Sequence, residues 1–399
     1  MKCRICNTSE LLLLFDGGSQ PRCFDFFSDL HHRFKKYQFS VGQCRSCGVI
    51  QLIYPIPEDQ LQPQLGWIKN NEPDDHAESI ARDVLQYLPD NSSRVLLVSS
   101  FDKRVYDVIQ QKIGDRAVIL DPNADLGIEA LAPNQAQIQS RITRDSGEAL
   151  SKKLGTFEVI VTCRMVEHTV EPRALIEGLT QLMSNGSRLI VEIPDSTKPL
   201  LQGDVAMLWE EHMSYFTPES LRLGFFSMGF VSEKTSGFYY PQEDALLAVF
   251  QKVGKSYRLP TPWGELALGA LYKNNLIALK VQITKELKKL GSEFGKIAIF
   301  GAGHRSVMFL NLLGLQQSIC SIVDDSKDKQ GLIMPGGYLK IISSDEAVKR
   351  GIGVYILAVG INIESKIVQS LTERATNSIV CKSISPDSRY ALSSFQLEQ

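Results

Sequence analysis

No stretch of this sequence approaches the roughly 18–20 consecutive apolar residues that a membrane-spanning helix requires. The opening MKCRICNTSE places cysteine and polar residues where an export signal would carry its apolar core. Both absences predict a cytoplasmic protein with no membrane partner. An excess of one charge is missing too: 43 Lys and Arg stand against 45 Asp and Glu, a net charge of −2. Broad contact with nucleic acid displaces counterions from phosphates and needs a basic surplus, so no nucleic acid is expected as a partner. There is no short-period repeat and no low-complexity tract. What remains is ordinary for a globular protein: 399 residues, 43% apolar and 22% charged, long enough for two or three domains with real cores.

Cysteine is sparse after residue 47 and concentrated before it. Five of the eight lie in the first 47 residues, and four of those form Cys3-Arg-Ile-Cys6 and Cys44-Arg-Ser-Cys47. In a chain without an export signal the doubled pair reads as a metal site, not a disulfide framework. Each Cys-x-x-Cys folds into a knuckle that aims two thiolates at one point. Four thiolates suit tetrahedral zinc and leave no open coordination position, so Cys3, Cys6, Cys44 and Cys47 predict a structural Zn(2+) site. Arg4 and Arg45, inside the turns, offset part of its negative charge. The 37 residues between the pairs leave room for LLLLF, FDFFSDL and HHRFKKYQF. His31 and His32 read there as surface residues. Cys163, Cys320 and Cys381 lie in apolar surroundings and read as small buried thiols.

The Pro-rich stretch YPIPEDQLQPQ reads as a linker. After it, HAESIARDVLQYL (76–88) has Ile80, Val84 and Leu88 at helical spacing. Strands and helices then alternate: RVLLVSS, AVILD, FEVIVTC and SRLIVEIP as strands, RVYDVIQQKI and PRALIEGLTQLM as helices. Continuous Val/Ile/Leu runs separated by helices predict a mainly parallel sheet covered on both faces. Thr217 and Pro218 open a helix as N-cap and first helical residue. A long amphipathic helix over about 264–291 leads to a second alternating region, with strands in KIAIFGAG, SICSIVDD and VYILAVG.

KIAIFGAGHRS runs a hydrophobic strand into Gly301-Ala302-Gly303 and on into a helix. Such glycines permit a tight turn and close backbone approach, and the helix start offers N–H groups to a phosphate. Asp324 and Asp325 stand at the end of the next strand, where a Rossmann fold places the acid that holds a ribose. Ser306 occupies the third glycine position, so the dinucleotide fingerprint is incomplete and the turn also reads as a packing turn. The first strand of the earlier region is followed by Ser99-Ser100-Phe101-Asp102-Lys103, with no glycine at all. Asp121, ending the second strand, is placed either to accept two ribose hydroxyls or to cap its own Asp-Pro-Asn turn.

Two segments carry a resemblance. FEVIVTCRMVEHTVEP (157–172), with Glu167-His168 in its loop, resembles the fourth-strand block of class I methyltransferases. Trp209-Glu210-Glu211-His212-Met213-Ser214-Tyr215-Phe216 resembles the Glu-His-x-x-Tyr-Phe signature of the sugar C-methyltransferase family. That family joins an N-terminal cysteine zinc module, a central methyltransferase domain and a C-terminal Rossmann-like domain with a Val-Asp-x-x-x-x-Lys-Gln-Gly segment. Here the last reads Val323-Asp324-Asp325-Ser326-Lys327-Asp328-Lys329-Gln330-Gly331. The resemblance covers nearly the whole chain, in the family's order.

The resemblance implies methylation, by S-adenosyl-L-methionine, of C3 in a nucleotide-linked 4-keto-deoxysugar. A carbon beside a ketone is acidic enough to lose a proton to a placed side chain, and histidine titrates nearest the working pH. Carried over, His212 is the base, Glu211 orients or charges it, and His168 steadies the enolate oxygen. The cofactor would lie against Ser99, Asp102 and Asp121. The nucleotide-sugar would meet Gly301, Gly303, Arg305, Asp324 and Lys329, with Arg305 as a cation for the diphosphate. Trp209 departs from the family, which has tyrosine there. The entry to the central domain, LGWIKNNEPDDH (65–76), lacks the family's tyrosine. A homologue that binds a nucleotide-sugar without methylating it, as a binding protein or an isomerase, is the alternative. The expected architecture is α/β: a zinc module over 1–55, a methyltransferase-like domain over 56–255, and a C-terminal Rossmann-like domain over 256–399.

Overall fold

The computed structural model describes residues 2–8, 11–29, 33–57, 60–61, 75–99, 102–129, 135–254, 259–337 and 339–392. His31, His32, Ser100, Phe101 and most of segment 65–76 lie outside them. The strands are β1 (Leu11–Pro21), β2 (Lys36–Cys44), β3 (Ile50–Leu52), β4 (Val95–Leu97), β5 (Ala117–Ile119), β6 (Phe157–Cys163), β7 (Met183–Asp195) and β8 (Ser214–Tyr215). There follow β9 (Phe230–Phe238), β10 (Asp244–Lys252), β11 (Ile297–Phe300), β12 (Ser321–Val323), β13 (Ile341–Ile342), β14 (Val354–Leu357) and β15 (Val380–Ser383). The helices are α1 (Ala77–Gln86), α2 (Lys103–Ile113), α3 (Gln135–Ser140), α4 (Arg144–Leu154), α5 (Pro172–Gln181) and α6 (Thr197–Gln202). After these come α7 (Pro218–Ser227), α8 (Trp263–Phe294), α9 (His304–Leu313), α10 (Ser344–Lys349) and α11 (Ile361–Arg374).

Three sheets result. The central one runs β5-β4-β6-β7-β10-β9. Its strands are parallel through β7, and β10 then pairs antiparallel with both β7 and β9. The central parallel strands β4 and β6 are buried along nearly their whole length, which is why VLL and FEVIVTC are predominantly apolar. The outer strand β9 instead alternates between burial and exposure. The C-terminal sheet runs β13-β12-β11-β14-β15 and is parallel throughout. In each parallel sheet the chain reverses its direction of travel beside the first strand, between β4 and β6 and again between β11 and β14. Such switch points open the crevices that hold ligands in α/β proteins. The N-terminal sheet, β1-β2-β3-β8, is antiparallel and takes its last strand from residues 214 and 215.

Local chemistry explains the junctions. Thr217 caps α7 through a capping box with Ser220, and Pro218 fills the first helical position. Helix α8 buries Glu265, Gly269, Tyr272, Leu276, Leu279, Ile283, Leu287 and Leu290, a three-and-four spacing along one face. That face rests on the N-terminal sheet at one end: the Gln43 side chain donates to the Glu265 carbonyl at 2.6 Å. At its other end it joins a core shared with α9 and β11. One continuous set of buried side chains therefore runs from Val41 and Leu52 through Leu208 and Tyr215 to Tyr272, Phe309 and Ile299. The stretches read as three modules are knitted together by β8 and α8. Among the later cysteines Cys163 is buried as expected, whereas Cys320, one residue before β12, is exposed and Cys381, in β15, is half-buried.

Candidate active site

The four cysteines of the doubled pair converge. Their sulfurs lie within 4.8 Å of one another, with Cys3 to Cys47 at 3.7 Å and Cys6 to Cys44 at 3.4 Å. Four thiolates around one zinc stand about 3.8 Å apart at a metal–sulfur distance of about 2.3 Å, so the cluster fits a tetrahedral ion. The knuckles are tied to the rest of the protein. Arg4 donates to the carbonyls of Leu52 and Met213, and Arg173 donates to that of Ile5. Met213 follows His212, so the cysteine cluster lies one peptide from the Glu-His segment.

A cleft of about 770 Å³ opens where the central and C-terminal sheets meet. From the central side it is lined by Arg164, Glu192, Trp209, His212 and Tyr240, among others. From the C-terminal side it is lined by His304, Arg305 and the Gly360–Ile363 turn. His304 follows the β11 turn and Gly360 begins α11 after β14, so the cleft occupies the switch point of the C-terminal sheet.

Its floor is a packed set of rings. His212 lies 4.7 Å from His168 and 5.1 Å from Trp209, ring centre to ring centre. Trp209 stacks on His304 at 5.0 Å and 25°. Burial, and then the neighbouring His168 and His304, hold His212 well below the usual imidazole range. Burial pushes His168 down to about 4 against the hydrogen bond that supports it. His304 falls to about 3 through burial and the adjacent Arg305. His212 is thus a neutral imidazole at the cleft wall, the protonation state of a general base.

The expected roles of its neighbours change. The His168 ring stands behind His212, off the cleft lining, and its Nδ1–H donates to the Glu211 carbonyl at 2.9 Å. It packs edge-on against the His212 ring. Glu211 enters this network through its main-chain carbonyl. The buried carboxylate beside the segment is Glu210, which accepts from the Cys23 amide at 2.5 Å. His304, Arg164, Glu192 and Tyr240 were not singled out in the sequence. His304, inside the Gly-Ala-Gly-His turn, had the clearest signal.

At the first switch point the described part of the loop after β4 is bonded within the protein. The Asp102 carboxylate is fully buried and accepts from the amides of Val98 at 3.0 Å, Ser99 at 2.9 Å and Cys163 at 2.8 Å. It therefore pins the loop after β4 to the end of β6. Ser99 is also buried. Asp121 is exposed at the end of β5, but one of its oxygens accepts from the amides of Asn123 and Ala124, the turn it was read as able to cap.

A second carboxylate closes the glycine turn in the same way. Asp324 accepts from the Ala302 amide at 2.8 Å, from Lys329 at 2.9 Å and, through its other oxygen, from the Ser326 amide. The Gly301 amide donates to the Val323 carbonyl and that of Gly303 to Ser306 Oγ. All three amides of the turn are used internally, so Gly301, Gly303, Asp324 and Lys329 form a staple where a phosphate cradle was expected. Of the expected nucleotide contacts Arg305 alone lines the cleft, and there it pairs with Asp204 at 3.0 Å.

Fold and site together define an α/β protein whose two Rossmann-like sheets enclose a cleft with a neutral histidine on its wall. Residues 265–380 match the family model of the C-methyltransferase C-terminal domain. The chain is also similar to the C-methyltransferase NovU of Streptomyces niveus, 20% identical over 375 residues that span 89% of each protein. Among solved structures, a 1,6-didemethyltoxoflavin N1-methyltransferase of Burkholderia thailandensis aligns at a TM-score of 0.28 and 10% identity. It covers 45% of this chain and 77% of its own. The magnesium protoporphyrin IX methyltransferase of Synechocystis aligns at 0.27 and 12%, covering 46% of this chain and 90% of its own. Likeness at these scores is weak, and the strand order above describes the fold. Among the described residues no helix is long and apolar enough to cross a membrane.

Proposed function

We propose that this protein is a C-methyltransferase acting on a nucleotide-linked keto-deoxysugar held in the cleft. The observation that carries the reading is His212: a buried imidazole packed against His168 and Trp209 on the lining of a cleft at a switch point. A ketone bound there would lose the proton on its neighbouring carbon to His212, the C–H electron pair becoming the enolate. His168 and Trp209 fix the imidazole, and Arg305 offers the diphosphate a guanidinium. Similarity to NovU supports C-methylation as the fate of that enolate. S-adenosyl-L-methionine supplies, when bound, an electrophilic methyl group for such a carbon. Asp121, exposed at the end of β5, fits its ribose; Ser99 and Asp102 do not fit it, being buried and bonded within the loop. The cysteine cluster fits a structural Zn(2+).

That misfit favours a second reading, in which the enolate receives a proton and the protein works as an isomerase or binds the sugar without methylating it. One experiment separates them. Thymidine- and uridine-diphosphate 4-keto-6-deoxyhexoses are incubated in D₂O with and without S-adenosylmethionine. A methylated product supports the first reading, and deuterium incorporation without it the second. His212→Ala should slow either reaction about a hundredfold to ten-thousandfold. Parent protein that does neither, or a His212→Ala variant as active as the parent, refutes the enolate chemistry.

A further inference from the structure

Helix α8 carries apolar residues on two opposite sides. One side is the core face described above. On the other, Trp263 is 75% exposed, Ile277 62% and Val281 68%, three of the nine large apolar side chains left exposed among the described residues. Ala267 and Ala270 are exposed between them. Positions 263, 267, 270, 274, 277 and 281 alternate steps of four and three, the heptad spacing that keeps one stripe facing a partner helix. Asn274 is the stripe's one polar member. A helix packed on one face ordinarily turns charged groups outward. Here the outward stripe is free of charge over residues 263–281, about 28 Å of helix. Beside it, Lys273 donates to the Leu13 carbonyl at 3.4 Å, which turns that amine toward the chain's own β1, and Leu13 itself is 51% exposed.

The stripe is complementary to itself. Two copies laid antiparallel about a two-fold axis beside residue 272 set Trp263 of one against Val281 of the other. Ala267 then meets Ile277, Ala270 meets Asn274, and the same pairs recur in reverse, as a two-fold interface requires. Larger residues face smaller ones at each level, which lets the helices approach and interlock. Charge selects the same arrangement. Lys280, Lys285, Lys288 and Lys289 are all exposed in the second half of α8, and a parallel pair would set them beside their own counterparts. An antiparallel pair sends the two basic halves to opposite ends of the contact. Within the seam, each copy's Lys280 then passes the other copy's residues 263–272, whose one charged residue, Glu265, is buried. We propose that the outward face of α8 is the interface of a homodimer, made by antiparallel contact between this stripe and that of a second copy. The interface stands independently of the chemistry assigned to the cleft.

Sedimentation equilibrium of the full-length protein at micromolar concentration tests it, and the parent is expected to sediment at twice the mass of one chain. Trp263→Lys and Val281→Glu each bury an unpaired charge in the seam and should raise the dimer Kd by about a hundredfold or more. Carried together in one chain, they set an ammonium against a carboxylate at both ends of an antiparallel seam. That double variant should recover a Kd within about tenfold of the parent's. In a parallel seam it would instead set like charges together and associate more weakly than either single variant. Val231→Lys, on the exposed side of β9, should leave the Kd unchanged, which separates this interface from general association of apolar surface. Circular dichroism matching the parent's establishes that the variants, all altered at exposed positions, are folded. A parent that sediments as a single chain, or single stripe variants that dimerise as the parent does, overturns the proposal. So does a double variant that associates more weakly than either single one.

Discussion

Asp102 is a carboxylate that three main-chain amides hold inside the protein. Those amides favour its charged form, yet burial outweighs them and raises the carboxyl to about 6. Against an unfolded value of about 3.9, the shift is worth about 3 kcal/mol, at roughly 1.4 kcal/mol per unit. Because the folded value is the higher one, this stabilisation is complete below about pH 4 and is lost as the pH rises through about 6. Asp102→Asn removes the titration. Denaturant melts of the two proteins should therefore show the parent's stability, relative to the variant, falling by about 2–3 kcal/mol between pH 4 and pH 7.5. Parallel pH curves would refute this account of the loop. The buried histidines work in the opposite sense. His168 and His304 have lowered values, so their contribution is present above about pH 6.5 and fades as acid protonates the unfolded chain.

Among the elements, the turn between β11 and α9 separates two glycines that look alike in the sequence. Gly301 has φ of +105°, and a Cβ there would come within 2.7 Å of the Ala358 carbonyl. Gly303 is extended, with nothing within 4 Å of an added Cβ. Gly301→Ala is thus expected to cost about 1–3 kcal/mol in strain at a residue held in the left-handed region, while Gly303→Ala melts within a degree or so of the parent. Equal loss of stability in both would mean that the turn's shape is set otherwise. The same turn accounts for His304. Its place at the first residue of α9 is fixed by the glycine-dependent reversal, and from there its ring reaches Trp209.

On the scale of the whole molecule, the cysteine cluster and the cleft are mechanically joined. The cysteine knuckles sit in a core that includes Phe216, Leu221 and Phe225, and β3 pairs with β8 directly beyond His212 and Met213. A Cβ on Gly224 would come within 2.5 Å of Ile5, which shows how closely α7 approaches the first knuckle. With the cluster proposed as a zinc site, Cys44→Ser is expected to abolish zinc binding, lower Tm and reduce substrate proton exchange at least tenfold, although Cys44 lies outside the cleft. Elemental analysis, melting and the D₂O assay measured together check this. Full proton exchange by a metal-free variant would mean that the N-terminal sheet does not position His212.

What the sequence determined by itself is what depends on neighbours in the chain. Doubled Cys-x-x-Cys defines the four sulfurs, since two residues per knuckle suffice to aim them. Unbroken Val/Ile/Leu runs determine the parallel strands, and Thr217-Pro218 the start of α7, because burial and capping act locally. The segment around His212 stands out in the sequence through its short Glu-His-x-x-Tyr-Phe signature. The tertiary structure alone decided which polar groups are free to meet a ligand. Asp102 and Asp324 read in the sequence as ligands for a cofactor and a ribose, but each turns inward, because an amide from a strand end distant in sequence needs an acceptor. His76, Glu192 and Tyr240 carry no common motif, since they come from a helix start, a strand end and a hairpin. Only the pairing of β7 with β10 and of β10 with β9, with α1 alongside, brings the His76 imidazole within 3.3 Å of the Glu192 carboxylate and 2.7 Å of the Tyr240 phenol.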